Sequence, residues 1–472
     1  MNKTITILIF LLTTSLLRKC SCLPLKFTPD YKEALKLSLL YLEAQRSGRL
    51  PSNNRIKWRG DSALDDRGLK GEDLTGGYYD ASDYVKFSFN LAFTTTVLSW
   101  GVIAYGDAYI EAGQYSEVLD AIKWSTDYLI KCHPSPNEFY GQVGEFSIDH
   151  AFWGRPEDMN LTRPAYKIDE KNPGTDLAAE SAASFSSASL VFKHVDSSYS
   201  KELLRHAEQI YGFARTYRGL YKDVIPGAKQ YYDSESSSYF DELAWGAVWL
   251  YKATGAAEYL EEAKDFYGRI NVTDEDTNRF YYDRKVLGIQ ILLAEGSNSS
   301  RYLDLVMSHC ENIVDKQYRT PQGLIYISKQ GTLSHAASLA FACLRVAELS
   351  TSLTDEFTQF AKQQIDYILG AYGRSYVVGY GFDYPKRPHH AASSCPERPE
   401  PCGWQQFNST LPNPHILYGA LVSGPNHNDY FDDVREEFLY TDVNVDYNAG
   451  FQSALAGLIH LQNHTTKHND LV

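Results

Sequence analysis

Residues 355–370 read Asp355-Glu356-Phe357-Thr358-Gln359-Phe360-Ala361-Lys362-Gln363-Gln364-Ile365-Asp366-Tyr367-Ile368-Leu369-Gly370. Phe357, Phe360, Ala361, Ile365 and Ile368 recur at helical spacing and form a single-face stripe. Acidic residues at the start and glycine at the end suit the two termini of a helix. Comparable segments begin near Thr28-Pro29, Asn90, Gln114, Thr175, Ser200, Tyr239, Glu258, Asp283, Arg301, Thr332 and Asn444. With the quoted stretch they predict about twelve helices. No alternation of strand and helix interrupts them, so the expected fold class is all-α. Strands are expected only as short hairpins in loops such as 374–381.

The chain has 472 residues, 45 basic and 59 acidic, for a net charge of −14. That balance argues against a general nucleic-acid binder, which needs a basic stripe to neutralise phosphates. It equally disfavours adhesion to anionic membranes. Hydrophobic residues make up 43%, too many for a disordered chain, and aromatic residues 14%. Aromatic rings fill cores and also offer flat faces for stacking.

Lys3 followed by an apolar run from Ile5 to Leu17 reads as a secretory signal over residues 1–22. The run is too short to span a bilayer. Acceptor triplets at Asn160, Asn271, Asn298, Asn408 and Asn463 fit export and glycosylation. Cys395 and Cys402 bracket a Pro-rich loop and are expected to pair. Cys310 and Cys343 sit in apolar helical stretches and are expected as buried free thiols. Long loops at 50–89, 134–174 and 370–443 hold the unusual clusters, as functional loops do. One domain is expected over residues 23–464, with a polar tail at 465–472.

Three clusters carry candidate chemistry. Gly76-Gly77-Tyr78-Tyr79-Asp80-Ala81-Ser82-Asp83 places two carboxylates three residues apart, where one can act as a base and the other orient a water molecule. A turn whose aspartates bond backbone amides has the same pattern. Arg387-Pro388-His389-His390 offers imidazoles to a ligand or to solvent. Phe431-Asp432-Asp433-Val434-Arg435-Glu436-Glu437 and Thr441-Asp442-Val443-Asn444-Val445-Asp446-Tyr447-Asn448 gather acids just before a helix. There the helix dipole alone also accounts for them.

Together these clusters resemble glycoside hydrolase family nine, the endoglucanases. The likeness runs over nearly the whole mature chain, through Trp58-Arg59-Gly60-Asp61, Asp149-His150-Ala151-Phe152-Trp153-Gly154-Arg155, Asp176-Leu177-Ala178-Ala179-Glu180 and Pro414-His415-Ile416-Leu417-Tyr418-Gly419. It implies an (α/α)6 barrel of six helical hairpins with long loops forming a cleft. It also implies hydrolysis of β-1,4-linked polysaccharide with inversion by a secreted monomer that needs no cofactor for the chemistry. By that resemblance Asp83 is the base, Asp80 holds the water with it, Asp442 is the acid, and His389 and Asp433 belong to the catalytic set. Tyr447, His150, Trp153 and Arg435 would contact sugar. Ser237, Ser238, Asp241, Glu242 and Asp283 would hold a structural calcium ion.

The chain departs from the family pattern at several points. The acid is usually Glu, so Asp442 draws its carboxyl back by about 1.5 Å, one C–C bond. A misplacement near 1 Å can cost about 10²-fold in rate. Ala391, Gln330 and Ser334 replace an Arg, a stacking Trp and a second Arg, while Ser82, Tyr84 and Asn426 also differ. These changes imply reduced turnover or a shift towards xylan or mixed-linkage glucan. A glycan-binding chain that has lost turnover is the alternative.

Overall fold

The computed structural model describes residues 28–233, 238–297, 299–349 and 354–469. The expected signal at 1–22 and Asn298 lie outside the described residues. Among the described residues, twelve helices of eleven residues or more build the framework. They are α1 (Tyr31–Ala44), α2 (Ser88–Glu111), α3 (Tyr115–Cys132), α4 (Thr175–Phe192), α5 (Ser197–Thr216) and α6 (Phe240–Thr254). The rest are α7 (Ala257–Tyr267), α8 (Val286–Ser297), α9 (Ser300–Lys316), α10 (Thr332–Leu349), α11 (Thr354–Leu369) and α12 (Val445–Asn469). Every expected start falls within three residues of an observed one. The last helix runs on into the stretch read as a polar tail.

Even-numbered helices pack side by side in a closed ring, α2 to α4 to α6 to α8 to α10 to α12 and back to α2. Each odd-numbered helix packs outside its sequence neighbour, α1 against α12. This is an (α/α)6 barrel. Composition separates the two rings. The outer α5, α9 and α11 carry apolar residues on one face. The inner α4 is buried nearly all round and is built largely of Ala and Ser. Small residues let inner helices approach closely: a Cβ on Gly101 of α2 would lie 2.5 Å from the Ser453 hydroxyl of α12. The stripe Phe357, Phe360, Ala361, Ile365 and Ile368 is buried throughout.

Two expectations are corrected. Cys310 and Cys343 form a disulfide that ties α9 to α10, with Cα atoms 5.8 Å apart. Both thiols point into the one seam between the two helices, so burial and pairing coincide. Cys395 pairs with Cys402 as expected, and Cys132 is a buried free thiol. Strands occur away from 374–381, where only an isolated bridge from Val377 to Leu421 forms. The sheet has β1 (Lys86–Phe87), β2 (Phe139–Val143) and β3 (Ala165–Ile168), paired antiparallel in chain order. It stitches the first long loop to the second. Among the described residues no helix is long and apolar enough to cross a membrane.

Candidate active site

A cavity of about 530 Å³ is lined by Asp80, Ala81, Ser82, Asp83, Phe87, Phe146, His150, Gln230, Tyr231, Tyr232, Gln330, His389, Phe438, Asp442 and Asn444. Most of these residues lie just ahead of the inner helices α2, α6, α10 and α12. Inner helices of a hairpin barrel run in one direction, so their N-termini share an end. Their dipoles favour negative charge there. A side pocket of about 250 Å³ shares Tyr231, Tyr232, Gln330 and Asn444 with the cavity and adds Arg279, Tyr281, Tyr282, Asp283, Ser328, His335 and Tyr447.

The Asp80–Asp83 loop is pinned from three sides. Val445 at the start of α12 donates its N–H to the Asp80 carbonyl at 3.0 Å. The Gln45 side chain donates to the Ala81 carbonyl at 2.6 Å, and the Ala391 N–H to the Ser82 carbonyl at 3.2 Å. Before the loop, Gly77 has φ +73°, and a Cβ there would meet the Tyr128 ring at 2.5 Å. Only glycine satisfies both conditions.

Asp80 and Asp83 differ in environment. Asp80 is buried, accepting from Asn90 Nδ2 at 2.8 Å and from the Tyr232 hydroxyl. Asn444 in turn donates to Tyr232 at 2.6 Å. Burial, with the charge of Asp83 added, pushes the Asp80 carboxyl well above the usual carboxylate range, against its two hydrogen bonds. Asp83 is partly open: Oδ1 accepts the Val85 N–H at 3.3 Å, and Oδ2 lies 2.7 Å from His150 Nε2. Close by, burial and the Asp83 charge push Asp149 up to about 7, and its Oδ2 accepts the Tyr84 N–H at 3.0 Å. Asp83 is therefore the freer of the two loop carboxylates.

On the opposing segment Asp442 is held by backbone bonds to Phe438 and Ser423. Burial, and after it the charges of Asp83 and Asp446, push its carboxyl well above the ordinary value. Beside it, His389 donates its backbone N–H to the Thr441 carbonyl at 2.9 Å. Its Nδ1 lies 2.7 Å from the Arg435 carbonyl. A carbonyl only accepts, so Nδ1 carries the proton. Burial lowers the imidazole's pKa. A neutral ring of this tautomer turns Nε2 into a hydrogen-bond acceptor.

Asp80, Asp83, Asp442, His389 and His150 thus meet in one cavity, with Tyr447 in the adjoining pocket. Three expected residues do not line it. Asp433 accepts the N–H groups of Lys386 and Arg387 at 2.9 and 3.0 Å, fixing the turn before His389. Arg435 is buried and donates to the carbonyls of Gln406, Phe407, Ser409 and Leu411 and to Asn413 Oδ1. Its donors are all turned inwards. Trp153 is buried, with Nε1 donating to Ser394 Oγ at 2.9 Å and its ring edge-on to His389 at 5.2 Å. It supports the imidazole from behind. Ala391 belongs to the same small cluster as Trp153, Tyr79 and Tyr84. Asn90, Tyr232 and Asn444 were missed by sequence reasoning. The one local signal was a polar Asn in the apolar run Phe89-Asn90-Leu91.

The expected calcium set is only partly assembled. Ser237 lies outside the described residues. Asp241 and Glu242 are buried in the first turn of α6, and Asp283 lines the side pocket. Lys285 already places its ammonium 3.2 Å from both Glu180 and Glu242. Among the described residues no group of three or more His, Cys, Asp or Glu side chains could hold a metal ion.

Comparison with known proteins gives these features a family. The model described as Glycosyl hydrolase family 9 matches residues 31–455. The chain belongs to this family. Endoglucanase A of Bacillus pumilus is 41% identical over 449 residues, covering 92% of this chain but 66% of that longer protein. The solved endoglucanase of the termite Nasutitermes takasagoensis is 51% identical, with a TM-score of 0.89, covering 92% of this chain and 100% of that one. The cellulase Cel9M of C. cellulolyticum, solved in complex with cellobiose, is 32% identical with a TM-score of 0.85, covering 92% of this chain and 99% of that one.

Proposed function

We propose that this protein is a secreted endo-β-1,4-glucanase that hydrolyses cellulose-like glucan with inversion. The observation that carries the reading is the pairing of an open carboxylate, Asp83, with an opposing carboxyl, Asp442, that its surroundings hold towards the protonated form. Inverting hydrolysis needs a base to activate water and, opposite it, an acid to protonate the leaving oxygen. Asp80, fixed by Asn90 and Tyr232, holds the water with Asp83. His389 accepts from a sugar hydroxyl. Phe146, Tyr231 and Phe438 offer apolar surface to sugar faces. Endoglucanase relatives and a cellulase solved with cellobiose support the substrate class.

The test is reducing-end release from soluble β-1,4-glucan, xylan and mixed-linkage glucan, with proton NMR of the first anomer formed. The native chain should act on β-1,4-glucan and yield the α-anomer first. Asp83→Ala should lose at least about 10³-fold, the scale of a general base together with the water it positions. Activity that survives Asp83→Ala would overturn the mechanism. Tight glucan binding without turnover would select the glycan-binding alternative, which the changes at Gln330 and Ala391 favour.

Export is supported by the apolar run at 5–17, the two disulfides and the exposed acceptors Asn160, Asn271 and Asn408. Expression in a eukaryotic secretory host should yield a processed, glycosidase-sensitive product in the medium. Calcium is proposed only as a stabilising ion. Glu242 keeps a buried oxygen without a hydrogen-bond partner, and burial with the Glu242 charge pushes Asp241 up. With Lys285 already beside Glu242 and fewer than three carboxylates at hand among the described residues, such an ion would draw most of its oxygen ligands from hydroxyls, carbonyls and water. An equal Tm in calcium and in chelator would remove it.

A further inference from the structure

Gln330 sits at the turn leading into α10, and Asp442 in the segment leading into α12. Ser423, fully buried, ties the two together with four hydrogen bonds. Its hydroxyl accepts the Gly331 N–H at 2.7 Å and donates to the Leu439 carbonyl at 2.9 Å. Its own N–H donates to the Asp442 carbonyl at 2.8 Å, and its carbonyl accepts the Leu333 N–H at 3.1 Å. Gly331 has φ +65°, and a Cβ there would come within 3.1 Å of the Tyr447 ring, so the turn lies close against α12. On this frame Gln330 and Asp442 both line the main cavity, close enough for the Gln330 side chain to favour the charged form of the Asp442 carboxyl.

We propose that Gln330 is a positioning residue for Asp442, its amide N–H donating to the carboxyl and fixing the short acid on the cavity wall. The proposal deepens the hydrolase reading above and rests on it. An Asp carboxyl has one fewer methylene than Glu with which to seek its place, so an outside donor has more to do. A glutamine amide supplies that donor, whereas the indole implied by the resemblance presents mainly a ring face. The changes at 330 and 442 then act as one unit rather than as two losses. Asp83, Asp446, Tyr41 and Tyr447 face Asp442 electrostatically, with His389 beside it in the parallel bridge. Gln330 and the Val443 backbone oppose the upward push.

The experiment compares pH profiles of kcat and KM on soluble β-1,4-glucan for the native chain, Gln330→Leu, Asp442→Glu and the double variant. Gln330 is exposed, so its replacement leaves the fold intact. Gln330→Leu should lower kcat about tenfold, the scale of one hydrogen bond to a charged group, with KM little changed. Its alkaline limb should move up in pH, because a lost donor to the charged form favours the proton. In the Asp442→Glu background the same change should matter less, a positive interaction between neighbours. An unmoved limb, or a change in KM alone, would overturn the proposal. Carbon-13 NMR titration of the Asp442 carboxyl in the native chain and Gln330→Leu gives a readout independent of turnover. A raised pKa in the variant supports the proposal, and an unchanged one overturns it. Failure of the native chain to hydrolyse any glucan sinks the hydrolase reading instead.

Discussion

Arg435 directs its guanidinium into the main chain of the 406–413 loop, and no donor is left for a sugar. Removing it takes the donor from four part-buried carbonyls and from the buried Asn413 Oδ1, where a lost hydrogen bond to a charged group costs about 1.5–3 kcal/mol. Arg435→Lys should therefore lower the unfolding free energy markedly while leaving KM within about twofold where the protein stays folded, since lysine lacks the planar fork. Denaturant unfolding and steady-state kinetics on the same preparation check this, and a large rise in KM at unchanged stability would restore the sugar-contact role. Tyr232 makes the opposite case. Its hydroxyl donates to Asp80, so Tyr232→Phe should cut kcat about tenfold at little cost in KM. A change in KM alone would mean that Tyr232 only touches sugar. Residue type and motif made Asp80, Asp83, His150, His389 and Asp442 legible in the sequence. They did not reveal which way Trp153 and Arg435 point, because a buried brace and a substrate contact demand the same residue. The network of Asn90, Tyr232 and Asn444 joins segments far apart in sequence, and no local pattern encodes that meeting.

At the scale of the element, the inner ring is held by charge as well as by small side chains. Glu180 of α4 and Glu242 of α6 both reach Lys285, which stands at the entrance to α8, all three fully buried. Burial pushes Glu180 up to about 7, while for the Lys285 ammonium burial pulls down and the neighbouring carboxylates outweigh it, raising the group. Lys285→Met strands two carboxyls in the barrel wall and should cost about 3–5 kcal/mol, as broken buried pairs do. A loss below about 1 kcal/mol in denaturant unfolding would mean that the carboxyls simply take up protons. The outer helices were legible because their apolar residues recur on one face, as at Phe357 to Ile368. The inner helices were legible mainly by length and by small residues. β2 was not, because all five of its residues are buried and no in–out alternation marks it. The pairing of α9 with α10 through Cys310 and Cys343 also depends on tertiary contact that spacing alone does not carry.

For the whole molecule, buried titrating groups pull stability in opposite directions, and the balance sets a working pH range. Burial lowers His133 to about 4 and His206, His335 and His390 to about 3. The His133 and His206 Nδ1 atoms are 2.7 Å apart, a contact that two protonated rings could not keep. Each of these groups contributes stability that is present above the unfolded value, near 6.5, and is lost as pH falls towards its folded value. Burial raises Asp149, Asp176 and Glu180 to about 7 and Asp446 to about 6. These contribute stability that is full below the unfolded carboxyl range and is lost as pH rises through the folded values. Between about pH 7 and pH 4 the four carboxyls gain what the four histidines lose, so the two slopes nearly cancel. Below about pH 4 the unfolded carboxyls protonate too and the gain stops, while the histidine loss continues to pH 3. Salt-bridged carboxylates held low, such as Asp66 beside Lys86 and Arg163, add to the loss there. Tm should accordingly form a broad plateau from about pH 7 to pH 4 and fall steeply below it. Calorimetric scans across pH 3–8 on the native chain and on His133→Asn/His206→Asn check the assignment. The double variant, free of two of the four opposing groups, should grow more stable as pH drops from 7 to 4.5. A Tm that instead falls steadily from pH 6.5 in both proteins would mean that the raised carboxyls do not hold their protons in the folded barrel.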